Sequence, residues 1–200
     1  MITIKNQESQ KPYHSNRSSR KKKPWSIYGV SVPGAYHLQN EIPCQDSHSF
    51  GVLNKFWKYA IVCDGAGSLE NSDLGSEFLT SIASKVIKKT LSKETWYHSA
   101  KIPDETSWSV AANKIIKELF RSLWQYAQKI EINYKSMGAT VNLMVFNDNG
   151  YLSVHVGDGR ATVLTSDNEW IAAIKPFKGE NAGETVFITS EYTGCILKNA

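Results

Sequence analysis

The chain has 200 residues, of which 41% are hydrophobic and 21% charged, as is ordinary for one globular domain with its own core. No apolar run approaches the roughly 18 residues that a membrane-spanning helix needs, and the basic N-terminus lacks the apolar segment of a secretory signal. The three cysteines, Cys44, Cys63 and Cys195, have no metal-ligand spacing, so we interpret them as reduced thiols of a cytoplasmic protein.

The net charge of +4 is concentrated at the N-terminus. Residues 1–24 contain seven of the 23 Lys and Arg residues and a single acid, Glu8. The other residues include more acids than cations, which argues against a basic nucleic-acid surface across the folded part. Because residues 1–24 also have few large apolar side chains, they predict a disordered basic tail. This tail either solubilises the protein or contacts phosphate-rich surfaces.

A folded domain is predicted from Trp25 to Glu191, and it opens with strands. "WSIYGVSV" alternates between apolar and polar residues, which predicts a strand. "SHSFGVL" and "WKYAIVCD" predict two strands joined around Asn54. The continuous apolar run of the second is typical of a strand that is covered on both faces.

Two long helices follow, each with apolar residues at helical spacing. The first is predicted to begin at Asn71 or Ser72, either of which can cap it. Its apolar positions are Leu74, Phe78, Ile82, Val86, Ile87 and Leu91. The second is predicted from about Ser107 to Ile132, and its broad apolar face indicates packing against more than one neighbour.

Strands return after the helices. "ATVNLMVF", "YLSVHVGD" and "RATVLTS" predict a meander with turns at "NDNG" and Gly159. "EWIAAI" and "ETVFITS" are weaker strand candidates around the loop "KPFKGENAGE". Strands, then two helices, then strands predict an α+β fold in which the helices pack on antiparallel sheet.

Three acids lie at the ends of predicted strands: Asp46, Asp64 and Asp158. A rigid sheet can aim such carboxylates at one point, and Mg²⁺ and Mn²⁺ prefer oxygen ligands. Gly65 would let the backbone approach a metal, with its carbonyl as a ligand. The alternative is that Asp64 and Asp158 belong to ordinary Asp-Gly turns. Cys63 is not favoured as a nucleophile, because the neighbouring carboxylate raises the pKa of its thiol.

Several other site types have no motif here. The histidines show no zinc pattern, and GxxxxGK[ST], GxGxxG and GxSxG are absent. His155 alternates with two valines and is interpreted as structural.

Six motifs, in order, carry a family resemblance: "PCQDS", "VCDGAGS", "LGSEFL", "MGATVNLMVF", "VGDGRATV" and "GENAGETVFITS". With them the chain resembles the metal-dependent serine/threonine protein phosphatases of the 2C (PPM) type, in their bacterial branch. The resemblance implies a two-layer antiparallel β-sandwich flanked by helix pairs. It also implies a dinuclear Mg²⁺ or Mn²⁺ site, at which a metal-activated water hydrolyses phosphoserine and phosphothreonine.

The resemblance also implies roles for individual residues. Asp64 matches the aspartate that bridges the metals, and Gly65 matches the residue whose carbonyl binds one of them. Asp46 matches an acid that assists mainly through water. Asp158 matches an acid sometimes linked to a third, weaker metal. Residues 138–140, "GAT", match a structural turn.

The chain departs from the family pattern in three places. Gln45 stands where a glutamate is usual, and His37 is the nearest candidate for the usual phosphate-binding arginine. Residues 192–200 do not resemble the family, and the later "DG" and "DN" aspartates that bind metal are not found. These departures predict a partial, C-terminally truncated domain over 25–191, with weak metal affinity and little phosphatase activity.

Three functions are therefore weighed. The first is a metal-dependent phosphatase that acts on a phosphoprotein, with a protein kinase or its target as partner. The second is a non-catalytic pseudophosphatase or remnant that binds a phosphoprotein. The third, least favoured, is a metal-dependent nuclease helped by the basic tail.

Overall fold

The computed structural model describes residues 2–5, 25–165, 167–176 and 185–190. Eight strands and three α-helices lie in these ranges. The strands are β1 (Ile2–Lys5), β2 (Ser26–Gly29), β3 (Asp46–Val52), β4 (Lys58–Asp64), β5 (Val141–Asn147), β6 (Gly150–Val156), β7 (Ala161–Leu164) and β8 (Trp170–Ile174). The helices are α1 (Ala35–Gln39), α2 (Ser72–Leu91) and α3 (Glu105–Lys129), with 3₁₀ turns at Thr95–His98 and Tyr134–Met137.

The central sheet is antiparallel and has the order β3-β4-β5-β6. β3 and β4 form the predicted strand pair, and β5 and β6 form the hairpin predicted around "NDNG". Two further antiparallel pairs, β1 with β2 and β7 with β8, make two-stranded sheets. The predicted α+β class with antiparallel sheets is confirmed.

Helices α2 and α3 cover one face of the central sheet. Leu79 and Ile87 of α2 and Leu119 and Leu123 of α3 have no solvent exposure and join the buried core with the inward residues of β4, β5 and β6. The two helices run antiparallel, since Lys89 contacts Glu118 while Phe78, earlier in α2, stacks on Tyr126, later in α3. Both predicted long helices are confirmed, with the second beginning two residues earlier and ending three earlier than predicted.

The caps of the two helices differ. Asp104 caps α3, because its side chain accepts a hydrogen bond of 2.8 Å from the backbone N–H of Ser107. Asn71 precedes α2 as predicted, but its side chain makes no capping hydrogen bond. Its amide instead donates to the hydroxyl of Ser136 at 2.9 Å, so the side chain ties α2 to the turn at Tyr134–Met137.

The opposite face of the central sheet carries the two small sheets. Ser153 of β6 donates a hydrogen bond of 3.1 Å to the carbonyl of Ala173 in β8. Trp25, directly before β2, packs edge-on against Phe146 at a centroid distance of 5.0 Å. The described residues therefore form a helical layer, a central sheet and a partial second β-layer.

Three sequence predictions need correction. The meander ends at β6, because β7 pairs with β8 rather than with β6. Gly157, at a φ of 105°, turns the chain out of the sheet directly after β6. The described part of "ETVFITS", residues 185–190, is extended and then turns, without forming a strand.

The third correction concerns the N-terminus. Within the tail predicted to be disordered, Ile2–Lys5 form β1 and pair with β2. Three consecutive β-branched residues at positions 2–4 favour this strand. The rest of that tail, 6–24, and the atypical end, 192–200, lie outside the described residues. In the described part of the chain, no helix has the length and apolar character to cross a membrane.

Candidate metal and phosphate site

Asp46 and Asp64 lie directly opposite each other at one end of the central sheet. Asp46 is the first residue of β3, Asp64 is the last residue of β4, and the two are Cα partners in the antiparallel register. Cross-strand partners on the same face have Cβ atoms about 5 Å apart. The hairpin around Asn54 fixes this register, so the strand pair itself brings the two carboxyl groups together.

The Asp46 and Asp64 carboxylates are close enough for each to disfavour ionisation of the other. Partial burial, the negative charge of Asp46, a hydrogen bond between the two carboxyl groups and the charge of Asp158 together raise the pKa of Asp64 to about 6. Like charges at short range disfavour ionisation of both groups. The raised pKa also shows that Asp158 lies within electrostatic reach of Asp64.

Gly65 is enclosed by backbone, which explains why a glycine is needed there. A Cβ atom at this position would lie 2.7 Å from the carbonyl oxygens of both Gln45 and Ser72. The Gly65 N–H donates to the Gln45 carbonyl at 3.0 Å, which holds the residue beside the start of β3. Among the described residues, no hydrogen bond uses the Gly65 carbonyl as an acceptor, so this oxygen is available to a ligand.

The "GAT" turn holds Asp64 from the other side. Thr140 accepts a hydrogen bond of 3.0 Å from the Asp64 N–H through its hydroxyl, and its own N–H donates to the Asp64 carbonyl at 2.8 Å. Gly65 and Ala139 form an isolated antiparallel bridge next to this contact. The turn therefore fixes the backbone of Asp64 and Gly65 together.

Asp158 belongs to a turn that packs on the same structure. A Cβ atom at Gly157 would lie 2.7 Å from the Thr140 side chain, and one at Gly159 would overlap the Asn142 amide. The close approach of both glycines places Asp158 near the end of β4. The hydroxyl of Thr185 donates to the Asp158 carboxylate at 3.2 Å, so residues 185–190 also contribute to this turn.

The donor set fits a divalent cation in part. Two facing carboxylates and a free backbone carbonyl are the oxygen ligands that Mg²⁺ and Mn²⁺ prefer. However, within the described ranges no three His, Cys, Asp or Glu side chains lie close enough to hold one metal ion. Asp46, Asp64 and Gly65 would therefore supply only part of a ligand shell.

Two further candidates from the sequence, His37 and Cys63, make no side-chain hydrogen bond with Asp46 or Asp64 among the described residues. His37 is in α1, and no hydrogen bond or ion pair of the described residues joins it to Asp46 or Asp64. Cys63 is fully buried, and burial, together with the charge of Asp64, raises the pKa of its thiol far above the usual value. The prediction that Cys63 serves packing rather than catalysis is consistent with both facts.

Sequence reasoning missed the residues that support the first motif. The Gln45 carbonyl accepts a second hydrogen bond, of 2.6 Å, from the buried Ser76 hydroxyl of α2. Ser47 and Thr80 share a hydrogen bond of 2.7 Å one turn further along. Ser and Thr spaced by four residues in the apolar-patterned α2 were the available signal, because polar residues on a buried helix face need partners.

Sequence reasoning also missed a polar pair on the outer face of the sheet. Asn142 and His155 are cross-strand partners on β5 and β6. Among the described residues, the buried Asn142 Oδ1 and His155 Nε2 atoms have no hydrogen-bond partner. His155 faces away from Val154 and Val156 as predicted, and burial lowers the pKa of its imidazole.

The comparison with family models decides the family. Residues 33–194 match the model described as protein phosphatase 2C, which is well over half of the chain. The chain belongs to the protein phosphatase 2C family. All the candidate residues of this phosphatase family member, His37, Asp46, Asp64, Gly65 and Asp158, fall inside the matched range. A search of curated proteins gave no significant match.

A solved structure also matches this protein phosphatase 2C chain. It contains the PP2C phosphatase domain and a fragment of the regulatory domain of the cell fate determinant SpoIIE from Bacillus subtilis. The two are 16% identical, with a TM-score of 0.36. The match covers 72% of this chain and 36% of the other, so the present chain spans about a third of that chain's length.

Proposed function

We propose that the chain is a protein serine/threonine phosphatase whose centre is built on Asp46, Asp64 and Gly65. The observation that carries the proposal is the register that places Asp46 opposite Asp64, beside the free carbonyl of Gly65. Membership of the protein phosphatase 2C family supports hydrolysis of phosphoproteins as the reaction.

The charges of the site support a role for a cation. A phosphate monoester is negatively charged, and Asp46 and Asp64 would repel it. Burial of Asp64, together with the negative charge of Asp46, raises the pKa of Asp64 to about 6. Mg²⁺ or Mn²⁺, on which this family generally depends, would be held by the two carboxylates and the Gly65 carbonyl. The cation would supply Lewis acid chemistry and a nucleophilic water for hydrolysis.

Two residues are assigned supporting roles. Asp158 lies within electrostatic reach of Asp64 and carries a hydrogen bond from Thr185, so it would hold a further, weaker cation or its water. His37 would contact the substrate phosphate from α1, which lies only a few residues before Asp46 in the chain. The substrate would be a phosphoserine or phosphothreonine protein, with a protein kinase or its target as partner.

A second candidate is a non-catalytic member of the family that binds a phosphoprotein. One observation favours this candidate: among the described residues, no group of three His, Cys, Asp or Glu side chains could hold a metal ion. A centre with few ligands binds its cation weakly. In this case the chain would bind a phosphopeptide without releasing phosphate.

The experiment measures phosphate release from a phosphothreonine peptide by the full chain, with and without Mn²⁺. The Asp64→Asn variant is compared with Asp167→Asn, an exposed acid outside the site. Mn²⁺-dependent release that is lost in Asp64→Asn and kept in Asp167→Asn supports the phosphatase. Binding of the peptide without any release, in the presence of Mn²⁺, instead supports the non-catalytic candidate.

A further inference from the structure

A basic groove lies between the C-terminal end of α2 and the middle of α3. It has a volume of about 470 Å³. Its charged lining consists of Lys89, Lys93, Lys114, Lys117, Glu118 and Arg121. All five cations of this set are solvent-exposed.

The acids near the groove neutralise only part of its charge. Glu118 forms ion pairs with both Lys89, at 2.8 Å, and Arg121, at 3.6 Å, so one negative charge is shared between two positive charges. The other acid at the groove, Glu94, pairs with Lys114 at 3.4 Å. Within the described part of the chain, no ion pair joins Lys93 or Lys117 to any acid. The groove therefore keeps a net positive charge.

The groove differs from the rest of the folded chain in charge. Residues 25–200 contain 18 acids and 16 Lys and Arg residues. Five of those cations meet in this one groove. A nucleic acid or an anionic membrane would contact a wider surface, and outside the groove residues 25–200 include more acids than cations. A short acidic segment needs only the local positive field.

An exposed tryptophan extends the same side of α3. Lys114, Lys117, Arg121 and Trp124 follow one another at spacings of three and four residues, so they share a helix face. Trp124 is 44% exposed, although it is a large aromatic residue. Tryptophan and arginine are the residue types that most often dominate the binding energy of protein interfaces.

We propose that this groove binds a short acidic segment of a partner protein, with the carboxylates on the lysines and an apolar residue on Trp124. The position is separate from the candidate metal site. Ser72, at the start of α2, packs against Gly65, whereas Lys89 is at the other end of that helix. At about 1.5 Å per residue, the two ends of α2 are roughly 25 Å apart. The inference therefore does not depend on the proposed function.

The test is fluorescence anisotropy with a labelled peptide of Asp and Glu that has a central leucine, titrated with the full chain. We expect Lys93→Glu combined with Lys117→Glu to raise the Kd at least about tenfold, and Trp124→Ala to raise it several-fold. The control combines Lys101→Glu with Lys175→Glu, which changes the net charge equally at exposed positions outside the groove. This control should keep the wild-type Kd, and circular dichroism would check that each variant is folded.

Three results would overturn the proposal. The first is a folded groove variant that binds the peptide as tightly as the control does, and the second is a wild-type chain that does not bind it. The third concerns the class of partner: single-stranded DNA of the same formal charge that binds as tightly as the peptide, with the same loss in the groove variant, would make the surface a general polyanion site.

Discussion

Thr140 makes two hydrogen bonds with the backbone of Asp64. Its hydroxyl accepts from the Asp64 N–H at 3.0 Å, and its own N–H donates to the Asp64 carbonyl at 2.8 Å. Neither bond involves the Asp64 carboxylate, so Thr140 leaves that group to interact with Asp46. Thr140 is itself buried and lies against Gly157. One threonine thus connects the ends of β4 and β6, from which the two Asp-Gly sequences of the site extend.

The first prediction concerns the Thr140 hydroxyl. Thr140→Val keeps the shape but leaves the Asp64 N–H without an acceptor, which should lower the free energy of unfolding by about 1–3 kcal/mol. Thr140→Ser keeps the hydroxyl and removes one methyl group, which should lower it by about 1 kcal/mol. Urea denaturation of both variants measures the difference. A serine variant less stable than the valine variant would contradict a role for this hydrogen bond.

The second prediction concerns the charge of Asp64. Asp64→Asn removes the repulsion from Asp46, so without divalent cations this variant should unfold at an equal or higher temperature than the wild type. Mn²⁺ should raise the melting temperature of the wild type and leave that of Asp64→Asn nearly unchanged. Thermal unfolding with EDTA or with Mn²⁺ measures both effects, and Asp167→Asn should behave as the wild type does. An equal Mn²⁺ effect in Asp64→Asn would remove Asp64 from the ligand set.

The third prediction follows from the raised pKa of Asp64. Its value is about 6 in the folded state, against 3.8 for an unperturbed aspartate. Between these values the folded chain holds the proton more tightly than the unfolded chain, so stability from this group is present below about pH 4 and is lost as the pH rises through 6. The free energy of unfolding of the metal-free wild type should therefore fall relative to Asp64→Asn over this window. A constant difference from pH 4 to pH 7 would refute the shift.

The sequence was sufficient to predict much of the centre of the fold. β3, β4, α2, α3, β5 and β6 were predictable because each carries a long run at one period, and the short connection around Asn54 implies an antiparallel pair. The facing of Asp46 and Asp64 follows from that pairing. Local pattern and local pairing agree in these elements, so little tertiary information was needed.

Other features depend on contacts between distant segments, which periodicity does not encode. β7 pairs with β8 because Gly157 and Gly159 pack on Thr140 and Asn142 and direct the chain away from β6. Residues 185–190 form no strand, and Ile188 donates to the Ala139 carbonyl, almost fifty residues earlier. The position of Asp158 relative to Asp46 and Asp64 likewise depends on this packing of Gly157 and Gly159, and not on the Asp-Gly sequence itself.

The fourth prediction tests the glycine of the "LGSEFL" motif. Gly75 lies inside α2, where alanine is intrinsically better by about 1 kcal/mol. However, a Cβ atom there would lie 2.1 Å from the backbone carbonyl oxygen of Met137, directly before the "GAT" turn. Backbone cannot move aside as a side chain can, so Gly75→Ala should lower the free energy of unfolding by about 1–3 kcal/mol, against the helix propensity. The Gly75→Ala variant should also bind Mn²⁺ more weakly, because the Gly138 carbonyl accepts the hydrogen bond of the Ala66 N–H, next to Gly65.

The matched control is Ser81→Ala on the exposed face of α2, which should change stability by no more than about 0.5 kcal/mol. Urea denaturation and Mn²⁺ titration calorimetry measure the two effects. A Gly75→Ala variant as stable as Ser81→Ala would show that α2 does not need this close approach to the turn that holds Asp64.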